Sequence, residues 1–160
     1  MDSYIRANLA PGEHIEHIAK PHWVVFLGAG MWAGFGLIIS IAGGAFDGLF
    51  PVQVLAALAY AASLVQLVVR GIYYFSTELG ATNKRVIGKT GLIARNTFEF
   101  DNYRVESVNL DQSIAGRLLG YGTLTIRGMG GTPVALAAIN NPVAFRNARL
   151  EVLERIKQEN

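Results

Sequence analysis

The chain has 160 residues, no cysteine and a formal net charge of +2, with 51% apolar and only 16% charged residues. A charge this small gives no case for a nucleic-acid partner, and the missing cysteines exclude a disulfide framework and thiolate chemistry. So apolar a composition is uneven for a single water-soluble domain, and the unevenness is local.

Residues 1–22 carry Asp2, Arg6, Glu13, Glu16 and Lys20 and read as an N-terminal cytoplasmic segment. From Trp23 to Phe46 no side chain is ionisable, and after Asp47 a second uncharged run extends from Gly48 to Val69. Each run exceeds the roughly 20 residues with which a helix crosses about 30 Å of hydrocarbon. The first helix is expected over 23–46 and the second over 52–75, with a short external turn at 47–51 containing Asp47, Gly48 and Pro51. A cleaved signal peptide is disfavoured by the acidic residues ahead of the first run and by its length. A hairpin buried in a soluble core is disfavoured because neither helix would have a solvated face. Lys20 and Arg70 bracket the spans, with Lys84, Arg85 and Lys89 soon after, so the positive-inside bias puts both chain ends in the cytoplasm. Trp23, Tyr73 and Tyr74 occupy belt positions. Gly30 with Gly34, Ala29 with Ala33 alongside, Ala57 with Ala61, and Ala59 with Ser63 are small-x-x-x-small pairs that allow close helix packing, within the hairpin or between protomers. Gln53, Gln66 and Asp47 are too few to line a channel.

After Phe75 the pattern changes to short segments rich in Thr, Val, Ile and Phe: TELGAT, RVIGKT, GLIAR, NTFEF and VESVNL, punctuated by NK and DNYR. VESVNL does not alternate strictly. YGTLTIRGM puts Leu124 and Ile126 on one face and Thr123, Thr125 and Arg127 on the other, and TPVALAAI completes a small antiparallel β-domain. A closing helix follows, capped by Asn141 with Pro142 at its first position. Phe145, Ala148, Val152 and Ile156 form its apolar stripe, and Arg146, Arg149, Glu151, Glu154 and Arg155 are expected mostly outward. That stripe covers the open end of the sheet or binds a partner helix.

TNKRVIGKTGLIARNTFEF together with VESVNLDQSIAGRLLGYGTLTIRGMGGTP resembles the bacterial pleckstrin-homology-like membrane proteins, and PGEHIEHIAKPHW ahead of the first span belongs to the same likeness. The resemblance implies a membrane protein: a transmembrane helical hairpin in the bacterial inner membrane carrying an all-β barrel of about seven antiparallel strands closed by the C-terminal amphipathic helix. It also makes DQSIAGRLLGYG a connection between barrel strands, with Ile114, Leu118 and Leu119 tucked onto the barrel and Gly120 and Gly122 permitting re-entry. The alternative role for this connection is a partner surface made by Arg117 and Tyr121. Phosphoinositide binding does not carry over, because the first hairpin lacks the R-x-R of the animal domains and the closing helix lacks their tryptophan. Lys20, Lys84, Arg85 and Lys89 are instead expected as contacts to an anionic membrane surface.

Nothing in the chain has the spacing of a reaction centre. His14, His17 and His22 fall in one stretch but lack completing ligands. Ser76, Ser107 and Ser113 lack a nucleophile elbow, and RGMGGT lacks the Lys-Ser/Thr and helix start of a phosphate loop. No catalytic residue, cofactor or metal is expected. The expected function is non-enzymatic: a cytoplasmic interaction or assembly module, homo-oligomeric, with membrane lipids as partners. The alternative is lipid or small-ligand sensing at the cytoplasmic membrane surface.

Overall fold

The computed structural model describes residues 4–45, 50–92 and 95–159. Asp47 and Gly48 of the expected turn, and Ile93–Ala94 of GLIAR, lie outside the described residues, while Phe50 and Pro51, expected in that turn, already belong to the second helix. Chain contacts define two units, Trp23–Phe75 and the combination of Met1–His22 with Ser76–Asn160.

In the helical unit a 3-10 turn, Trp23–Phe26, leads into helix α2 (Leu27–Ala45), and helix α3 covers Phe50–Ser76. Pro51 falls in the first turn of α3, where its missing N–H breaks no helical bond. Both helices are long and apolar enough to cross a membrane: mean hydropathy is 2.1 over Trp23–Gly44 and 2.0 over Phe50–Ser76, with 11% of each window buried. The core helix of a soluble protein would be mostly buried.

The seam between α2 and α3 runs through Ala29, Gly36 and Gly43, one heptad apart, against Val52, Ala56, Ala59, Tyr60, Ser63 and Gln66. Ser63 Oγ donates to the Ala29 carbonyl at 2.8 Å, and a Cβ on Gly36 would lie 3.1 Å from the Tyr60 ring. Of the expected small residues, Ala29, Ala59 and Ser63 are in this seam, whereas Gly30, Gly34, Ala57 and Ala61 are not. A Cβ on Gly30 or Gly34 would meet nothing within 4 Å, and Ala57 and Ala61 are exposed. Gly30 is one residue, or about 100°, round the helix from Ala29, which turns it out of the contact.

The β-unit opens with a one-turn helix α1 (Tyr4–Ala7). Strand β1 (Ile15–Ala19) then pairs with β2 (Glu78–Thr82), β2 with β3 (Arg85–Thr90) and β3 with β4 (Asn96–Asp101), all antiparallel. After a 3-10 turn at Asn102–Arg104, β5 (Val105–Asp111), β6 (Tyr121–Gly128) and β7 (Val134–Asn140) form a second antiparallel sheet. Helix α4 (Ile114–Leu119) interrupts the β5–β6 connection, and α5 (Pro142–Glu159) ends the chain.

The strands do not close into the expected barrel: they form one sheet of four and one of three. Between β1 and β7 there is a single bridge, Pro21 to Ile139, flanked by His22 N–H to Ala138 O at 2.6 Å and Asn140 N–H to Lys20 O at 2.9 Å. Pro21 has no N–H to extend that ladder. On the other side the turn at Asn102–Arg104 separates β4 from β5.

Between the sheets lies one apolar core in which Leu79, Val86, Leu124, Ile126, Ile139 and Phe145 are fully enclosed. β6 alternates as expected, with Leu124 and Ile126 inward. The broken alternation of VESVNL is a bulge: Val105 pairs with Gly128 and Ser107 with Arg127, which leaves Glu106 as the extra residue. Ile5 of α1 is also fully buried, over Gly80, where a Cβ would approach it to 2.8 Å. In α5, Phe145 and Val152 are buried as expected, but so is Arg149, one helical turn beyond Phe145 and on the same stripe. Its Nη2 donates to Val105 O at 3.2 Å, and burial pushes its pKa down.

Candidate functional site

The β-unit has two ends of different chemistry. At the exit end the chain leaves at His22 and returns at Ser76; the far end lies one strand length away, at the β2–β3 turn and the β6–β7 turn.

At the far end Glu13, whose side chain is 0% exposed, receives Arg85 Nε and Nη2 at 3.0 Å each, the Ala10 N–H at 2.7 Å and the Thr82 hydroxyl at 2.7 Å. Arg85 also donates to Glu99 at 2.5 Å and to the Asn8 carbonyl at 3.0 Å. Burial alone would raise the Glu13 pKa, but the bonds from Arg85, Ala10 and Thr82 outweigh it and hold the carboxyl below its ordinary value. Lys84 Nζ donates to the Pro11 carbonyl at 2.8 Å. Lys84 and Arg85 therefore bind the N-terminal segment down, and both are at the end opposite the chain's exit.

Lys20 and Lys89 are at the exit end. Lys20 Nζ lies 3.5 Å from Glu78, which is opposite Lys89 in the β2–β3 register, and Lys89 Nζ sits 5.2 Å over the Tyr4 ring. The four cations expected to act together are thus split into two pairs. Lys20 also borders an open cleft of about 480 Å³ lined by Arg6, His17, Asn140 and Asn141 among others. Burial holds the His17 pKa down. Arg6 and the two asparagines have no motif in the sequence; only strand pairing and α1 bring them beside Lys20.

Helix α4 is at the same end. The Ser113 hydroxyl caps it by accepting from Gly116 N–H at 3.1 Å, and Gly120 closes it at φ 77°, a conformation that favours glycine. Only Gly116 is buried: a Cβ there would come within 2.6 Å of the Tyr121 carbonyl. Ile114 and Leu118 are each 82% exposed and Leu119 44%. The expectation that these side chains tuck onto the barrel fails for a geometric reason. Residues 114 and 118 share one helix face, and 116, two residues from each, faces the opposite way onto the sheet. Arg117 is exposed on α4, while Tyr121 is half-buried, stacked on His22 at 5.5 Å.

The three histidines go to different places. His14 pairs with Glu16 at 3.1 Å, His17 meets the edge of Phe145 and His22 stacks on Tyr121. Among the described residues no group of three His, Asp or Glu side chains gathers as a metal set. RGMGGT is the β6–β7 turn, with Gly130 at φ 71°.

No curated protein and no solved structure matches the chain significantly. The sequence profile described as Bacterial PH domain matches residues 25–159, a stretch that takes in both apolar helices, strands β2 to β7 and all of α5. By that match, and with two antiparallel sheets and a C-terminal helix packed on their shared core, the chain belongs to the bacterial PH domain family.

Proposed function

We propose that this is a non-enzymatic membrane protein of the bacterial inner membrane. Two spanning helices hold a PH-like interaction module at the cytoplasmic surface, and the working form is a homo-oligomer. The observation that carries this reading is the pair of apolar helices with only 11% of each window buried, joined to a domain of the bacterial PH family. Their outward surface is fit for lipid, and the cations Lys20 and Arg70 at their ends support a cytoplasmic β-unit. Gly30, Gly34, Ala57 and Ala61, free of the α2–α3 seam, leave a small-residue surface open to a second hairpin.

The test is extraction from native membranes followed by mass measurement in mild detergent. The expected result is resistance to alkaline carbonate, release by detergent and a mass that is a multiple of 17.3 kDa. Release by carbonate would end the membrane reading, and a monomer would end the assembly reading.

A second reading, headgroup or small-anion sensing, is favoured by the cleft that groups Arg6, His17 and Lys20 at the exit end. It predicts that anionic lipid retained through native mass spectrometry is lost from an Arg6→Ala/Lys20→Ala double variant. Equal retention by the variant would remove it.

A further inference from the structure

We infer that helix α4 is a bilayer-inserting wedge: Ile114, Leu118 and Leu119 enter the acyl boundary of the membrane to which the chain is anchored. The inference rests on the membrane reading above.

The exposed face of α4 is costly in water. Two side chains at 82% exposure, one turn apart on the same face, form an apolar ridge left uncovered by the described residues of the β-unit, and Leu119 extends it. The ridge is held rigidly. Ser113 and Gly120 cap the helix, Gln112 Nε2 donates to the Tyr121 carbonyl at 3.0 Å, and Gly116 lies flat on the sheet. Small side chains on the docked face and large apolar ones on the free face are the reverse of what packing onto the β-unit would require.

Its position selects lipid as the occupant. The Gly120 carbonyl, at the end of α4, accepts from Asn141 N–H at 2.8 Å, and the adjoining Tyr121 ring stacks on His22. His22 is the residue at which the chain leaves the β-unit, and Trp23 begins the 3-10 turn that leads into the first apolar helix. α4 is thus on the part of the β-unit from which the chain passes directly into the first apolar helix. Arg117, exposed on the same helix, can lay its aliphatic stem along the apolar zone and keep its charge among anionic headgroups. With the chain crossings at His22 and Ser76, the wedge supplies a third point of attachment. Three points fix the tilt of the β-unit on the membrane, where two leave it free to rock.

The chain has no cysteine, so single-cysteine variants of the full protein carry one environment-sensitive fluorophore each. Three positions are compared in vesicles of phosphatidylglycerol and phosphatidylethanolamine that contain nitroxide-labelled lipids. Leu118→Cys reports α4. Met129→Cys reports an equally apolar, 70% exposed site just beyond the far end of β6, roughly 26 Å from Tyr121 at the usual strand rise. Val65→Cys reports the middle of α3 and hence the span itself.

The expected result is blue-shifted emission at Leu118 with strong quenching by nitroxides placed shallow in the acyl chain, the depth of about 5–10 Å at which interfacial helices sit. Quenching at Met129 should be several-fold weaker, and Val65 should respond to deep nitroxides. Leu118 behaving like Met129 while Val65 is quenched would overturn the wedge and leave the span standing. A blue shift at Leu118 without lipid quenching would mean that protein, such as a second copy of the chain, covers the ridge, and would also overturn it. An unquenched Val65 would sink the span and the wedge together.

Discussion

The two ends of the β-unit use their side chains in opposite ways. At the far end polar groups are spent on one another: Glu13 is enclosed by Arg85, Thr82 and a backbone N–H, and Arg85 reaches three separate acceptors. At the exit end the apolar ridge of α4 and the cleft beside Lys20 face outward. Two neighbouring cations make the lesson concrete. Lys84 and Arg85 have the composition of a membrane-facing basic turn, yet they fasten residues 8–13 to the β2–β3 turn. Charge in a sequence tells what a residue can pair with; the fold decides whether the pairing has already been made.

The largest effect that distinguishes the two ends should come from Arg85→Ala. It leaves the Glu13 carboxylate enclosed without its cation, which should cost about 3 kcal/mol in a denaturation experiment. Lys84→Ala, which removes one bond from an exposed side chain, should change stability by less than about 0.5 kcal/mol. Equal effects would mean that the far end is not the latch described.

At the exit end Gly116→Ala should destabilise by about 2 kcal/mol, because its Cβ would press on the Tyr121 carbonyl, which is backbone and cannot swing aside. A neutral result would show that α4 docks by some other face.

Acid should weaken the unit in two steps. The His17 pKa is depressed from 6.5, so the unfolded chain takes up a proton first, and this contribution, full above 6.5, is lost as pH falls below it. The Glu13 pKa is depressed from 4.5, so its contribution is full above 4.5 and is lost as pH falls through the lower folded value. Melting midpoints measured from neutral pH to about pH 3 should therefore fall first below 6.5 and again below 4.5, and Glu13→Gln should reduce the second step, to which Glu16, held down by Arg155, also contributes. A midpoint that does not change with pH would contradict both assignments.

The smallest effect belongs to Leu118→Ala, which should leave stability within about 0.5 kcal/mol, whereas the same change at the enclosed Leu124 should cost about 3 kcal/mol. A large loss at Leu118 would restore the tucked arrangement that its sequence context implies.

Much of the architecture was legible because it depends on local periodicity. The two apolar runs, the alternation of β6, the Asn141–Pro142 helix start and the stripe through Phe145 and Val152 all follow from spacing along the chain. The irregular alternation of VESVNL left its register open, and the bulge at Glu106 is the reason. Facing was less legible: Arg149 is on the buried stripe by helical geometry, but its charge argued for the outside, and the Val105 carbonyl that receives it is 44 residues away in sequence. The heptad of Ala29, Gly36 and Gly43 was present in the sequence but was masked by the more familiar spacing of Gly30 and Gly34.

What the sequence determined by itself was therefore the set of elements and the separation into an apolar helical part and a β-rich part. Each depends on residues within a turn or two of one another. Only the tertiary structure decided that the strands stay as two sheets, that Arg85 is committed to Glu13 while Lys20 borders a cleft, and that α4 turns its leucines outward. Those outcomes depend on which distant groups meet at a given donor, acceptor or apolar surface: Pro21 at Ile139, Glu13 at Arg85, and Gly116 at the Tyr121 backbone, which leaves room for no more than a glycine.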